Sequence, residues 1–306
     1  MAKIAFVFAG QGSQAVGMGH DLYHYSPRVK TLFDMAANAR PDIRELCFDG
    51  PKERLDITIN TQPALFLTGL ACAEVLEEKG VKAEGTAGFS LGEIAAASFC
   101  GIMEKSQGFD FVCHRGRVMQ LCAEEHRGAM FAVMRLPDSQ VESICASLKQ
   151  TYPVNYNCPG QIVVACAEGS ADELQNRVSE AGGKTIKLPV SGAFHSPFMD
   201  AASESIADYL VNEHMGTMEI PMYANVTAQI YENPKELLAK QVNHPVLWQK
   251  TVENMIADGF DTFIEVGPGK TLSALIRKIS GDVVVYNVSD IESLDNTVKE
   301  LKHAER

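Results

Sequence analysis

The chain has 306 residues, 46% of them hydrophobic and 22% charged, an ordinary globular composition with enough apolar residues for a substantial core. A formal charge of −12 and a pI near 5.2 argue against a nucleic-acid partner, because phosphate binding needs a basic face. The amino terminus has too short an apolar run for a secretory signal and no stretch approaches the length of a membrane span, so a cytoplasmic protein with no membrane partner is expected.

"KIAFVFAG" reads as a buried strand that runs into the Gly-rich turn "GQGSQ". That turn lacks the lysine of a P-loop and the full spacing of a dinucleotide fingerprint, so nucleotide binding is not expected. "TQPALFLTGLACAEVLEEKG" reads as a helix with Thr61 as N-cap, Pro63 in the first turn and Gly80 as its stop. "GTAGF" is a short strand, "LGEIAAASFCG" a helix and "QGFDFVCHRGRVMQLCAEE" a further amphipathic helix. Strands that alternate with helices predict an α/β architecture with a mainly parallel sheet.

The pattern changes near residue 128. "GAMFAVM", "YPVNYN", "QIVVACA" and "KTIKLPV" read as strands, with helices at "SQVESICASLKQ" and "SADELQNRVSEAGG". The order β-α-β-β-α-β is the ferredoxin-like motif. It predicts a small subdomain over residues 128–190, inserted into a discontinuous large domain of residues 1–127 and 191–306. The chain then returns to α/β style with "PMYANV", "TFIEV", the turn "GPG", the helix "KTLSALIRKIS" and the strand "DVVVYNV", and "KHAER" reads as a frayed tail. The eight cysteines show no CxxC spacing and sit among apolar neighbours. They read as buried hydrophobes in a reducing compartment, with no disulfide and no metal site.

Gly88-Phe89-Ser90-Leu91-Gly92 falls between a predicted strand and a predicted helix, which is the context of a nucleophile elbow. Small residues flank the serine because the turn is tight, and the helix that starts near Leu91 points its first N–H groups at the serine, where they can stabilise an oxyanion. A serine hydroxyl needs a base at neutral pH. Of the eight histidines, His195 in "VSGAFHSPFM" lies where the small subdomain hands back to the large one, a common place for a site, and is the first choice. From the residues alone, Arg115 and Arg117 both read as helix-surface arginines that point off different faces.

Taken in order, "FVFAGQGSQ", "TQPAL", "GFSLGE", "RGRVMQ", "GAMFAVM", "NYNCPGQIVVA", "GAFHSPFM", "QVNHPVLW" and "EVGPGKTL" resemble the malonyl-CoA:acyl-carrier-protein transacylases of bacterial type II fatty-acid synthesis over nearly the whole chain. The resemblance implies an α/β-hydrolase-like large domain with a ferredoxin-like small one. It implies that Ser90 accepts the acyl group, that His195 is its base, and that the N–H groups of Gln11 and Leu91 form the oxyanion hole. It also implies that Arg115 binds the malonyl carboxylate and that Gln241 helps to orient His195 in place of an aspartate. In related acyltransferases a phenylalanine just before the histidine goes with malonyl units, so Phe194 is expected to disfavour an α-methyl branch. Phe89 departs from the family, which commonly has histidine there, and an altered pocket wall is expected.

The partners so implied are malonyl-CoA and acyl carrier protein, with coenzyme A entering as part of the substrate and no other cofactor or metal. A monomer is expected. The carrier should be acidic, so a local basic patch near the cleft is expected, with Lys187, Lys270 and Arg277 as candidates. Rival readings are a trans-acting malonyl acyltransferase of a polyketide synthase, a serine esterase or thioesterase, and a non-catalytic carrier-binding module.

Overall fold

The computed structural model describes residues 2–304. Two sheets carry the fold. The first contains β1 (Ile4–Phe8), β2 (Gly85–Gly88), β7 (Met222–Tyr223), β8 (Thr262–Val266) and β9 (Val284–Val288), in the order β7-β2-β1-β8-β9 with every pair parallel. β1 is central and its five residues IAFVF are buried on both faces apart from Ile4, as a strand covered by helices on both sides requires. The chain leaves β1 towards β2 on one side and β8 on the other. Strand order therefore reverses at β1, and a crevice opens beyond the carboxyl ends of the strands there.

The second sheet contains β3 (Gly128–Met134), β4 (Thr151–Cys158), β5 (Gln161–Ala167) and β6 (Lys184–Lys187), in the order β4-β5-β3-β6 with every pair antiparallel. Helices Asp138–Ser147 and Ala171–Glu180 complete the β-α-β-β-α-β order. The two-residue side-chain period divides its faces. Ala129, Phe131 and Val133 join Ile162, Val164 and Cys166 in a core under those helices, whereas Met130, Ala132, Val163 and Ala165 belong to the main core. The fold is thus mixed α/β, with a parallel sheet and a separate antiparallel one, as the sequence predicts. Val246 stitches the second sheet to the segment that follows Gln241: its N–H donates to the Val154 carbonyl at 2.8 Å and its carbonyl accepts the Tyr156 N–H at 2.9 Å.

Several local expectations change. The helix assigned to begin at Thr61 starts at Thr58 and runs to Glu78. The Thr61 hydroxyl donates back to the Leu55 and Ile57 carbonyls instead of capping. Pro63 lies inside this helix, and the Ile59 carbonyl, which a residue at 63 would normally engage through its N–H, accepts from Arg40 Nη1 at 2.8 Å. The last helix, Ile291–Ala304, takes in Lys302, His303 and Ala304 of the expected tail, and Glu305 and Arg306 lie outside the described residues. All eight cysteines are free, and every one except Cys113 is buried. Among the described residues no helix is long and apolar enough to cross a membrane.

Candidate active site

Ser90 follows β2 and precedes helix Leu91–Phe99, with φ 53° and ψ −108°. A non-glycine residue held there costs on the order of 1–3 kcal/mol, so its surroundings must over-determine it. Two glycines make the turn possible. A Cβ on Gly88 would lie 2.0 Å from the Gly92 carbonyl carbon, and one on Gly92 would lie 2.1 Å from the Phe8 oxygen of β1. Asn225 closes the turn. Its Oδ1 accepts the Ser90 N–H at 2.7 Å, and its Nδ2 donates to the Gly88 carbonyl at 2.6 Å.

The Ser90 Oγ lies 2.7 Å from His195 Nε2. His195 Nδ1 lies 2.8 Å from the Gln241 backbone carbonyl. A carbonyl can only accept, so Nδ1 carries the proton and Nε2 is free to accept from the serine. The His195 N–H also donates to the Val242 carbonyl at 2.9 Å, so ring and backbone are both held from one segment. Burial, and after it the Arg115 charge, lower the His195 pKa to about 4. The imidazole is therefore neutral, the form a base needs, across the physiological range. Gln241 meets His195 through its main chain, and its side chain is used elsewhere.

Arg115, on helix Lys105–Glu125, is fully buried. Its Nη1 donates to Gln62 Oε1 at 2.7 Å and its Nη2 to Gln241 Oε1 at 2.6 Å. Nη2 also lies 3.4 Å from the Ser90 Oγ, while the buried Nε has no acceptor among the described residues. A buried guanidinium donor with no acceptor is one that a ligand carboxylate can satisfy. Burial lowers the Arg115 pKa to about 10, so it stays a cation, and the nearby Glu93 opposes the shift. Arg117 is exposed on the same helix and its Nη2 lies 3.4 Å from His114 Nδ1.

A cavity of about 240 Å³ opens on Ser90 and His195 between the two sheets. Gln11 and Phe89 line its first-sheet side, Met130, Asn157 and Val163 its second-sheet side, and Phe194 lines it next to His195. Gln11 lies in the turn after β1, and no backbone acceptor takes its N–H among the described residues. The Leu91 N–H belongs to a first helical turn and has no intrahelical acceptor. Phe89 packs edge-on against Trp248, with ring centroids 5.5 Å apart. Of the basic candidates, Lys187 and Lys270 are exposed, Lys270 beside the cavity-lining Thr271, while Arg277 Nη2 donates to the Val285 carbonyl at 2.6 Å. No group of three or more His, Cys, Asp or Glu placed to hold a metal occurs among the described residues.

Sequence reasoning missed four members of the buried network, namely Gln62, Glu93, Asn225 and Tyr231. Glu93 had a legible signal as the one charged residue in the apolar run LGEIAAASF. Asn225 and Tyr231 had none, because 132 or more positions separate them from Ser90 and Glu93.

The family described as the acyl transferase domain matches residues 5–303. The malonyl CoA-acyl carrier protein transacylase of Bacillus subtilis is 35% identical over 99% of this chain and 98% of its own. The crystal structure of the malonyl CoA-acyl carrier protein transacylase from Clostridium perfringens superposes with a TM-score of 0.95 at 38% identity, covering 99% of this chain and 98% of that one. A malonyl-transacylase solved in complex with a type II polyketide-synthase acyl carrier protein gives a TM-score of 0.94 at 32% identity, covering 98% of this chain and 100% of that one.

Proposed function

The chain belongs to the acyl transferase family, and from that premise we infer that it moves a malonyl group from malonyl-CoA to the phosphopantetheine thiol of acyl carrier protein, supplying fatty-acid elongation. The observation that carries the reading is the convergence on one atom. The Ser90 Oγ lies 2.7 Å from a neutral imidazole and 3.4 Å from a buried guanidinium.

We propose that His195 Nε2 takes the Ser90 proton as Oγ attacks the malonyl thioester carbon. The carbonyl oxygen becomes an oxyanion between the Gln11 and Leu91 N–H groups, a position in which losing one donor typically costs roughly 3–4 kcal/mol. The C–S bond then breaks, His195 returns the proton to the coenzyme A thiolate, and a malonyl-serine ester remains. The carrier thiol enters next. His195 takes its proton, the thiolate attacks the ester, and Ser90 recovers its hydrogen. Arg115 holds the malonyl carboxylate throughout, through its unpaired Nε and the Nη2 hydrogen not given to Gln241. A hydrolase of simple esters would have no use for a buried cation at the nucleophile, so the esterase reading is not favoured.

We further propose that residues 128–190 form a ferredoxin-like small subdomain inserted into a large catalytic domain of residues 1–127 and 191–306, that Phe194 disfavours α-methyl branches, and that the enzyme acts as a cytoplasmic monomer needing no cofactor beyond the coenzyme A thioester. Intact mass after incubation with malonyl-CoA tests the chemistry. A malonyl adduct on the wild type that is absent in Ser90→Ala supports it, and free malonate with no adduct would point to a hydrolase.

A further inference from the structure

Beneath the serine lies a buried carboxylate that the reaction above does not use. Glu93 is fully buried on the first turn of helix Leu91–Phe99. Its Oε1 accepts the Tyr231 hydroxyl at 2.6 Å and the Asn225 N–H at 3.2 Å. Its Oε2 accepts Gln241 Nε2 at 2.6 Å. Gln241 Nε2 gives its second hydrogen to the Ser90 carbonyl at 2.6 Å, and Gln241 Oε1 accepts from Arg115 Nη2. Burial raises the Glu93 pKa to about 7, against the pull of its three hydrogen-bond donors and of the Arg115 charge.

A glutamine amide has nearly the same shape with its oxygen and nitrogen exchanged, so packing alone does not set its direction. Hydrogen bonding does so here. If the Gln241 amide flipped, its NH₂ would face the Arg115 guanidinium, donor against donor. Its oxygen would face Glu93 Oε2 and the Ser90 carbonyl, acceptor against acceptor. We propose that Glu93 is a positioning residue for the malonyl clamp: it fixes the Gln241 amide with its oxygen towards Arg115, and so aims the guanidinium at the acyl carboxylate. This rests on the reading of Arg115 as that clamp. Glu93 touches no substrate and acts through Gln241. The His195 anchor is spared, because it uses the Gln241 main chain.

A purely structural role for Glu93, as a buttress of the elbow, would slow every acyl donor alike. A positioning role would slow only donors that carry a carboxylate. The test is single-turnover formation of the serine ester with malonyl-CoA and with acetyl-CoA, on the wild type, Glu93→Gln and Glu93→Gln/Gln241→Glu. In Glu93→Gln the new amide keeps its oxygen on Asn225 and Tyr231 and turns NH₂ towards Gln241, which forces the flip. We expect malonyl loading to fall about tenfold or more, the scale of one lost hydrogen bond to a charged group, with acetyl loading within about twofold of wild type. The double variant again presents an acceptor to Arg115 and should recover most of the malonyl rate, less the loss of the bond to the Ser90 carbonyl. Parallel loss for both donors, no loss for either, or a double variant no better than the single one overturns the proposal. If thermal melting shows that Glu93→Gln does not fold, the malonyl-to-acetyl ratio of the double variant decides alone: a ratio near wild type supports the proposal and a collapsed ratio overturns it. A wild type that forms no malonyl ester would instead refute the parent reading of the site.

Discussion

The two walls of the cavity are built by different means. Behind Ser90 the protein is polar and fully buried, and Glu93, Arg115 and Gln241 constrain one another through bonds of 2.6–2.7 Å with Gln62 and Tyr231. Across from it the second sheet offers Met130, Ala132, Val163, Leu188 and Val190, interrupted by the amides of Asn155, Asn157 and Gln161. The first wall is specified by direction, since each donor needs its acceptor, and the second chiefly by volume. Changes behind the serine should therefore act steeply and selectively, and changes that alter only volume should act by degrees.

Four experiments test that contrast. Ser90→Ala should abolish the malonyl adduct in intact mass while leaving malonyl-CoA binding measurable by calorimetry, and any adduct on another residue would move the chemistry off the elbow. Arg115→Ala should cut malonyl loading by about 10²-fold or more, the range for deleting one partner of a buried charged contact, and should leave acetyl loading much less affected in the same rapid-quench assay. Phe194→Ala belongs to the volume-specified class. It should relax the preference for malonyl over methylmalonyl by about tenfold, the lower end of what one methyl group is worth in an apolar pocket, as read from competing donors. The smallest effect concerns pH. Because burial and the Arg115 charge hold the His195 pKa near 4, well below the usual 6.5, ester formation from acetyl-CoA, which does not use the Glu93-dependent clamp, should stay level as pH falls through 6.5 and decline only on approach to 4. Arg115→Gln removes a cation that lowers this value, so the acid limb should move upward. An unmoved limb would mean that burial alone sets the shift.

The polar wall was also the less legible of the two. The elbow could be read because its parts are adjacent in sequence. Gly88 and Gly92 flank Ser90 within one pentapeptide, although only the clash at Gly88 is local and the one at Gly92 is with Phe8 of β1. The second sheet could be read because the β-α-β-β-α-β order and the continuous apolar runs of GAMFAVM and QIVVACA, whose central residues are all buried, are written along the chain. His195 was suggested by its place at a junction, but its partner atom was not, since any residue at 241 offers a carbonyl. Thr61 was misassigned because its hydroxyl competes for backbone carbonyls six and four residues upstream as readily as it caps a helix. Residues such as Asn225 and Tyr231 acquire meaning only when folding brings them to Ser90 and Glu93, and no local pattern marks them.

The stitch at Val246 has a consequence for how such a protein can change over generations. The ribbon that carries the histidine's anchor at Gln241 is hydrogen-bonded to the substrate-facing sheet through the main chain, from Val246 to Val154 and from Tyr156 to Val246. Any residue except proline supplies the required N–H, and every residue supplies the carbonyl. Alignment of the base is thus insulated from the identity of the side chains that face the acyl group. A lineage can remodel what the cavity accepts, one substitution at a time, without having to rebuild the chemistry at each step.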